Sequence, residues 1–407
     1  MIPESLKLLH WSIYVLSLAS GVIMAGFMMM VPLLPGYAEQ LGFNEFIIGM
    51  LVAAFFIGRV ISQFPLGILS DHIGRKKVMV GSLLLFTVAT AGFALTTGSS
   101  PMIALRVMQG VASAGFVVGF QAYVNDRTPT HLRGLAHGIN SSAINAGVIV
   151  GPLLGGILSQ RYEMTTPFWT GAALGGVCFF LSLTIPPVSD HKPFSGWRSL
   201  VPQGDKIRGL ISSVLNFPAL SLSLVHFLQM MSLAIMLTAA PLITAELLSW
   251  NATDIAVAMG LSGAAAVITS PFLGRLSDRK GSRLLVMAGG LCFMAFEALM
   301  IFFHPGTALT YAGFIIGGAG TPAYFNSFFS LIGDMTLQEE RGAVSGFIGS
   351  FAEWGSIIGS SLLVPLLWLN FSLDTPMGVN FLILMGTAGL ALLLNRPLKR
   401  YFREDNQ

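Results

Sequence analysis

Twelve apolar stretches, each about as long as a membrane crossing, follow one another along the chain with short polar segments between them. A hydrocarbon core ~30 Å thick takes about 20 helical residues to cross. That ruler places spans at 11–34, 46–70, 78–97, 101–124, 134–159, 167–187, 217–243, 255–275, 284–303, 308–332, 342–369 and 375–395. Glycine and proline recur inside them, as expected where helices pack closely and neighbours compensate for broken backbone bonds. Only a few residues join the third span to the fourth and the ninth to the tenth, so both pairs are expected to be tight antiparallel hairpins. At the amino terminus Ser17-Leu18-Ala19 resembles a cleavage site, but the apolar run continues to Leu34, too long for a cleaved signal. It is read as the first membrane helix.

The longest polar interruption, 188–213, carries Lys192, Arg198, Lys206 and Arg208 among prolines and glycines. It divides the chain into a six-helix half at 1–187, a linker at 188–213, a second six-helix half at 214–395 and a tail at 396–407. Trp197 and its basic neighbours suit either a segment lying along lipid headgroups or a plain solvated linker. The expected fold class is an all-α polytopic membrane protein of twelve transmembrane helices in two pseudo-symmetric halves.

Composition strengthens this picture. Charged residues make up 10% and hydrophobic ones 54%, against about 25% charged in a soluble domain. Cys178 and Cys292 both fall in apolar runs, so no disulfide framework is indicated. No phosphate loop, metal cluster or activated nucleophile is recognisable, so no enzyme activity, cofactor, metal or nucleic-acid partner is expected.

The placement of charge says more than its total. Of the 22 lysines and arginines, all except Arg59, Arg106 and Arg161 fall on one side of the expected topology. The opposite loops hold Arg161 with Glu39, Glu45, Glu163, Glu246, Asp254 and Asp374. Positive residues mark the cytoplasmic side, so both termini and the linker are expected there, in a multi-pass protein of the cell inner (cytoplasmic) membrane.

The halves repeat. Gly67-Ile-Leu-Ser-Asp71-His-Ile-Gly74-Arg75-Lys-Lys, between the second and third spans, returns in degenerate form from Gly274, with Asp278 in the place of Asp71. Asp126 recurs as Asp334, Arg133-Gly134 as Arg341-Gly342, and Gly147 and Gly151 as Gly355 and Gly359. Parallel repeats of this kind place a substrate site near the bilayer midplane between the halves.

With the turn, the twelve spans and the worn second copy in view, the chain resembles the major facilitator superfamily over its whole length. Arg106-Val-Met-Gln109-Gly110 is similar to that superfamily's Arg-x-x-Gln-Gly signature, associated with proton coupling. Gly147-Val-Ile-Val-Gly151-Pro152-Leu-Leu-Gly155-Gly156 resembles the Gly-Pro-x-x-Gly-Gly signature of its antiporter branch. The resemblance implies the major facilitator fold and, more narrowly, a twelve-helix drug:proton antiporter acting as a monomer on small molecules, with protons as the coupling partner.

It also implies roles for the turns. Asp71 would accept hydrogen bonds from amides at the start of the eleventh helix, near Gly342, where the macrodipole favours negative charge. Arg75 would pair with Asp126, and Asp278 would be the symmetric latch, with Arg279, Lys280 or Arg283 near Asp334. Basic residues in such turns also enforce topology, but topology requires neither aspartate nor glycines. In the fifth span, Gly147, Gly151 and Gly155 at spacing four, with Gly156 adjacent, form a smooth face beside the bend expected at Pro152. That suits a helix packing against the other half, or ordinary close packing.

Ionisable groups inside the spans are few and expensive, roughly 2.5–3.5 kcal/mol each on insertion scales. They are Arg59, Arg106, His226, Glu297 and Glu353. Glu353 lies ~17 Å along its helix, near midplane, where a carboxyl could load and unload a proton; a structural pair is the alternative. His226, with Gln229 one turn on, lies in what the resemblance makes a cavity helix. Glu297 lies in the ninth helix, peripheral by the same resemblance, and Arg59 reads as structural. Many members carry an acid in the first, seventh or tenth helix; this chain has none there, which shifts weight onto Glu353, His226 and Arg106. Met24 and Met28, with Gln109, Gln229, Tyr324 and Asn326, are candidate cavity residues for varied apolar ligands.

The leading expectation is thus a proton-coupled exporter of lipophilic or amphipathic small molecules. The alternatives are a transporter of one metabolite (siderophore, sugar or amino-acid derivative), a lipid flippase, or a non-transporting receptor.

Overall fold

The computed structural model describes residues 9–31, 33–187, 216–277, 283–335 and 341–404. The linker 188–213, Asp278 and the side chains of Asp71 and Asp334 lie outside that description.

Among the described residues, regular structure is helical throughout. In chain order the helices are α1 (Trp11–Met30), α2 (Leu34–Gln40), α3 (Glu45–Ile73), α4 (Arg75–Leu95), α5 (Ser99–Arg127), α6 (Thr130–Arg161) and α7 (Thr166–Leu183). They continue as α8 (Phe217–Leu248), α9 (Ala252–Ser277), α10 (Arg283–Phe303), α11 (Thr307–Met335), α12 (Arg341–Ile358), α13 (Val364–Asn370) and α14 (Thr375–Glu404). Eleven stretches among the described residues are long and apolar enough to cross a membrane. The remaining long helix, α11, has 29 residues; glycines, threonines and Asn326 make it more polar than its neighbours. With it, twelve spans are accounted for.

Helix ends follow local chemistry. Asn216 accepts the Ala219 amide at 2.8 Å, and Pro218 sits in the first turn of α8, a favoured start. Between α3 and α4 a single residue, Gly74, reverses the chain with φ of 104°, a conformation open to glycine but strained for other residues. Three residues join α4 to α5 and α10 to α11, so the two expected hairpins are present.

Two spans differ from expectation. The first stops at Met30, not Leu34, and a separate short helix begins at Leu34 with Pro35 in its first turn. Pro35 has no amide to donate, and its fixed φ suits the first turn of a new helix, where the apolar run divides in two. The eleventh is interrupted by a π turn, Gly359–Leu363, in which the Val364 amide reaches back to the Gly359 carbonyl. Ser360 and Ser361 return their hydroxyls to the carbonyls of Ser356 and Ile357 at 2.8 and 2.7 Å. Pro365 supplies no amide, so this turn must satisfy its carbonyls another way.

The chain forms two compact units. The first is Met1–Phe43 with Ala54–Val201; the second is Asn44–Ala53 with Pro202–Gln407. The core of the first gathers Leu83, Phe86, Phe116, Phe120 and Tyr123 around Ile13 and Leu16 of α1. That of the second gathers Met287, Leu291, Tyr324, Phe328 and Leu384 around Leu222 and Val225 of α8.

The glycine face of α6 packs on α1 of its own unit, the close-packing alternative read from the sequence. A Cβ at Gly147 would strike the Gly21 carbonyl; at Gly151 it would lie 2.6 Å from the Ala25 oxygen, and at Gly155 2.5 Å from that of Met29. The second unit repeats this. Gly355 meets the Phe227 carbonyl, and Gly359 would place a Cβ 2.6 Å from the Met231 oxygen. At the offset of 208 the third glycine of the first unit, Gly155, becomes Leu363. At that position the helix takes its π turn.

Candidate transport sites in each unit

In the first unit a polar chain is buried among α1, α3, α4 and α5. Arg106 is wholly enclosed, and its Nη1 donates to Gln109 Oε1 at 3.0 Å, one turn along α5. Gln109 in turn donates from Nε2 to Thr90 Oγ1 at 3.0 Å and approaches Met30 Sδ at 3.6 Å. The Thr90 hydroxyl returns to the Phe86 carbonyl at 2.7 Å, so the chain ends on backbone. The guanidinium lies 5.4 Å from the Phe27 ring centre and 5.6 Å from that of Phe55. These two rings stack on each other at 4.2 Å.

Arg59 approaches Phe55 as well, at 6.0 Å, and donates to Ser113 Oγ at 3.0 Å. Two guanidinium groups therefore share one aromatic ring. A desolvated cation–π contact contributes about 2 kcal/mol or more, which offsets part of the cost of burying Arg106. The arrangement holds fixed positive charge within a membrane-spanning bundle, where it opposes a nearby cation and favours a nearby anion.

The approach that makes this possible is again glycine-dependent. Gly58 of α3 meets the Val107 carbonyl, and Gly110 of α5 meets that of Phe55. The last residue of the Arg-x-x-Gln-Gly run thus brings the α3 backbone, and Phe55 with it, next to Arg106.

In the second unit His226 of α8 is buried, with Nδ1 3.0 Å from the hydroxyl of the fully buried Tyr324 on α11. Phe328 lies 4.3 Å from its ring and Phe325 6.2 Å, so the pair sits in an aromatic box. Gln229, one turn on, is buried and its Oε1 has no hydrogen-bond partner among the described residues.

The remaining sequence candidates are more dispersed. Asn326 turns to α9, donating to the Ser270 carbonyl and hydroxyl at 3.3 Å each. Met24 and Met28 are half-buried, Met28 beside Gly151. Glu353 of α12 is half-buried, with its Oε2 enclosed. Glu297 is buried against α11.

At the turns, Arg75 Nε donates to Asp126 Oδ2 at 3.1 Å, joining α4 to the end of α5. Lys76 reaches the carbonyl of Leu183, the last residue of α7, at 2.6 Å, where a cation suits the exposed carbonyl end. In the second unit Arg283, 208 residues after Arg75, donates to the Ser330 carbonyl at 2.8 Å, one turn before Asp334. Sequence reasoning singled out Arg106, Gln109 and His226. It missed Phe27, Phe55, Thr90 and Ser113, whose only sequence signal was two arginines in apolar spans that had to be shielded by something.

Comparison with known proteins agrees with this architecture. The family model described as the Major Facilitator Superfamily matches residues 16–360 and 222–406. Quinolone resistance protein NorA of Staphylococcus aureus is 25% identical over 412 aligned residues, covering 99% of both chains. Multidrug resistance protein MdtG of Klebsiella pneumoniae is 27% identical over 90% of this chain and 88% of its own. Among solved structures, a bacterial homologue of the human lysosomal transporter Spinster, inward-facing and unoccupied, superposes with a TM-score of 0.78 at 13% identity, covering 97% and 98%. The nucleoside transporter NupG gives 0.75 at 15% identity, covering 94% and 99%. At such identity the structural likeness speaks to fold alone. With a family match spanning nearly its whole length and twelve long helices in two repeated units, the chain belongs to the Major Facilitator Superfamily and is a multi-pass membrane transporter, not an enzyme.

Proposed function

We propose that the protein is a proton-coupled exporter of lipophilic or amphipathic small molecules, working as a monomer with both termini in the cytoplasm. The single observation that carries this reading is the buried Arg106–Gln109–Thr90 chain capped by Phe27 and Phe55. A fixed guanidinium in an apolar bundle lowers the cost of a carboxylate near it and raises that of a second cation. A cationic substrate is then repelled, and an acidic one favoured, beside the same charge. The relatives named for quinolone and multidrug resistance support the export of varied small molecules. The aromatic and methionine content around Phe27, Met28 and Phe55 suits ligands recognised by apolar contact.

The test is transport in proteoliposomes with an imposed pH gradient, against a panel of lipophilic cations and quinolones. A gradient should drive substrate uphill, with reciprocal proton flux, and Arg106→Ala should abolish both while leaving folding intact in Arg106→Lys. Substrate flux that ignores the gradient overturns proton coupling. Flux confined to one hydrophilic metabolite overturns the substrate class.

A further inference from the structure

Glu297 stands apart from the other acids of the chain. It lies on α10, about nine-tenths buried, and its side chain curls over Gly317 of α11. The space that a Cβ at Gly317 would take is filled by Glu297 itself: its Cβ and Cδ are 2.6 Å from that point, and Oε2 is closer. One turn away Met300 occupies the space beside Gly313, and one turn the other way the Phe293 Cβ lies 2.7 Å from the corresponding point at Gly320. Three glycines of α11 thus receive Met300, Glu297 and Phe293 in succession. A methionine or leucine would fill the middle position as well as the acid does.

Among the described residues no hydrogen bond or ion pair reaches this carboxyl. The ionisable groups on the packed helices point elsewhere. On α11, Tyr311 is bonded to the Asp254 carbonyl at 3.3 Å and Tyr324 to His226 at 3.0 Å. Arg283, at the far end of α10, is bonded to the Ser330 carbonyl at 2.8 Å and lies ~21 Å away along the helix. The α14 stretch Thr375–Asn395 contains no titratable side chain, and α8 and α9 offer only His226, Glu246, Asp254 and Arg275. An ionised carboxylate among methionine, phenylalanine and glycine in hydrocarbon is far more costly than the neutral acid.

We propose that Glu297 is a second proton-binding site, separate from the Arg106 chain, whose neutral carboxylic acid fills the α10–α11 seam and is open to covalent modification by lipophilic carbodiimides. Loss of the proton drives the carboxylate off Gly317 towards water, so proton occupancy governs how closely α10 and α11 pack. The modification balances without another reactant. The acid adds across one C=N bond, its proton going to nitrogen and its oxygen to the central carbon. An acyl shift from oxygen to nitrogen then leaves an N-acylurea that retains every atom. The inference extends proton-coupled transport but is tested without it.

The experiment treats the intact protein in liposomes with N,N′-dicyclohexylcarbodiimide at pH 8, followed by peptide mass spectrometry. Glu297 should carry the adduct at about tenfold or more the level of the exposed Glu39 and Glu163, since a lipophilic reagent partitions into the apolar seam and the buried acid is held there neutral. Glu297→Gln should remove that adduct, a water-soluble carbodiimide should fail to form it, and Gly317→Ala should lower its rate by evicting the side chain from the seam towards water, where the acid ionises. Labelling of Glu297 no greater than that of Glu39 and Glu163, or equal labelling by the water-soluble reagent, overturns the proposal.

Discussion

Replacing Gly151 by alanine isolates the energetic worth of the α1–α6 crossing. The added methyl carbon would lie 2.6 Å from the Ala25 carbonyl oxygen and 2.9 Å from Met28 Cβ, so neither neighbour can swing away as a flexible tip would. Restoring ordinary contact requires α1 to retreat by about 0.8 Å, an overpacking that costs about 1–3 kcal/mol. Alanine also gains up to ~1 kcal/mol of helix propensity over glycine, which would mask part of that cost. Gly138, in the same helix with nothing within 4 Å of its Cβ position, supplies the control. Gly138→Ala takes the propensity gain alone, so the difference between the two variants is the steric term. At roughly 2–4 °C per kcal/mol for a unit of 150–250 residues, Gly151→Ala should melt several degrees below Gly138→Ala. The assay is thermal unfolding of both variants in one detergent, followed by intrinsic fluorescence. Equal melting temperatures, or a more stable Gly151→Ala, would refute the argument that backbone approach, and not glycine content, holds α6 to α1.

Four further outcomes follow from the geometry. Gly355→Ala should destabilise like Gly151→Ala, because its methyl would meet the Phe227 carbonyl; unfolding beside Gly349→Ala, which has nothing within 4 Å, checks it. Thr90→Val removes the acceptor for Gln109 and should cost about 1–3 kcal/mol of stability, with Thr90→Ser restoring most of it, as read by the same melts. Tyr324→Phe leaves His226 Nδ1 without its partner and should lower stability by a similar ~1–3 kcal/mol, whereas an unchanged melt would show the pair to be unimportant. His10 caps α1 by accepting the Ser12 amide on Nδ1 at 3.2 Å, with Arg127 Nη2 3.1 Å from its Nε2, and its pKa is lowered by burial and then by that guanidinium. The unfolded chain takes up a proton near pH 6.5 that the folded cap resists, so this stabilisation is complete above about pH 6.5 and declines as pH falls below it. Melting temperature should therefore drop more steeply from pH 7.5 to 5.5 in the native protein than in His10→Asn, which keeps a capping side chain; parallel slopes would remove His10 as the cause.

Much of the architecture was legible in the amino acids. The number, order and length of the spans follow from the transfer of single side chains into hydrocarbon, an additive local property that a window along the chain can sum. Hairpin connections, the reversal at Gly74 and the spacing of Gly147, Gly151 and Gly155 are local as well. The end of α1 and the π turn at Gly359–Leu363 were also written locally, in Pro35, Pro365 and the serine pair. They were obscured because hydropathy carries no hydrogen-bond accounting.

Only tertiary structure decided which faces meet. The rotation of each helix about its axis is set by packing against helices far away in sequence, so one chain's periodicity cannot assign partners. That is why α6 gives its glycines to α1, why Phe55 lies between Arg59 and Arg106, and why Gln109 finds Thr90 on the neighbouring helix. Apolar spans told that Arg106, His226 and Glu297 had to be shielded; close packing chose an aromatic box for the first two and a glycine seam for the third.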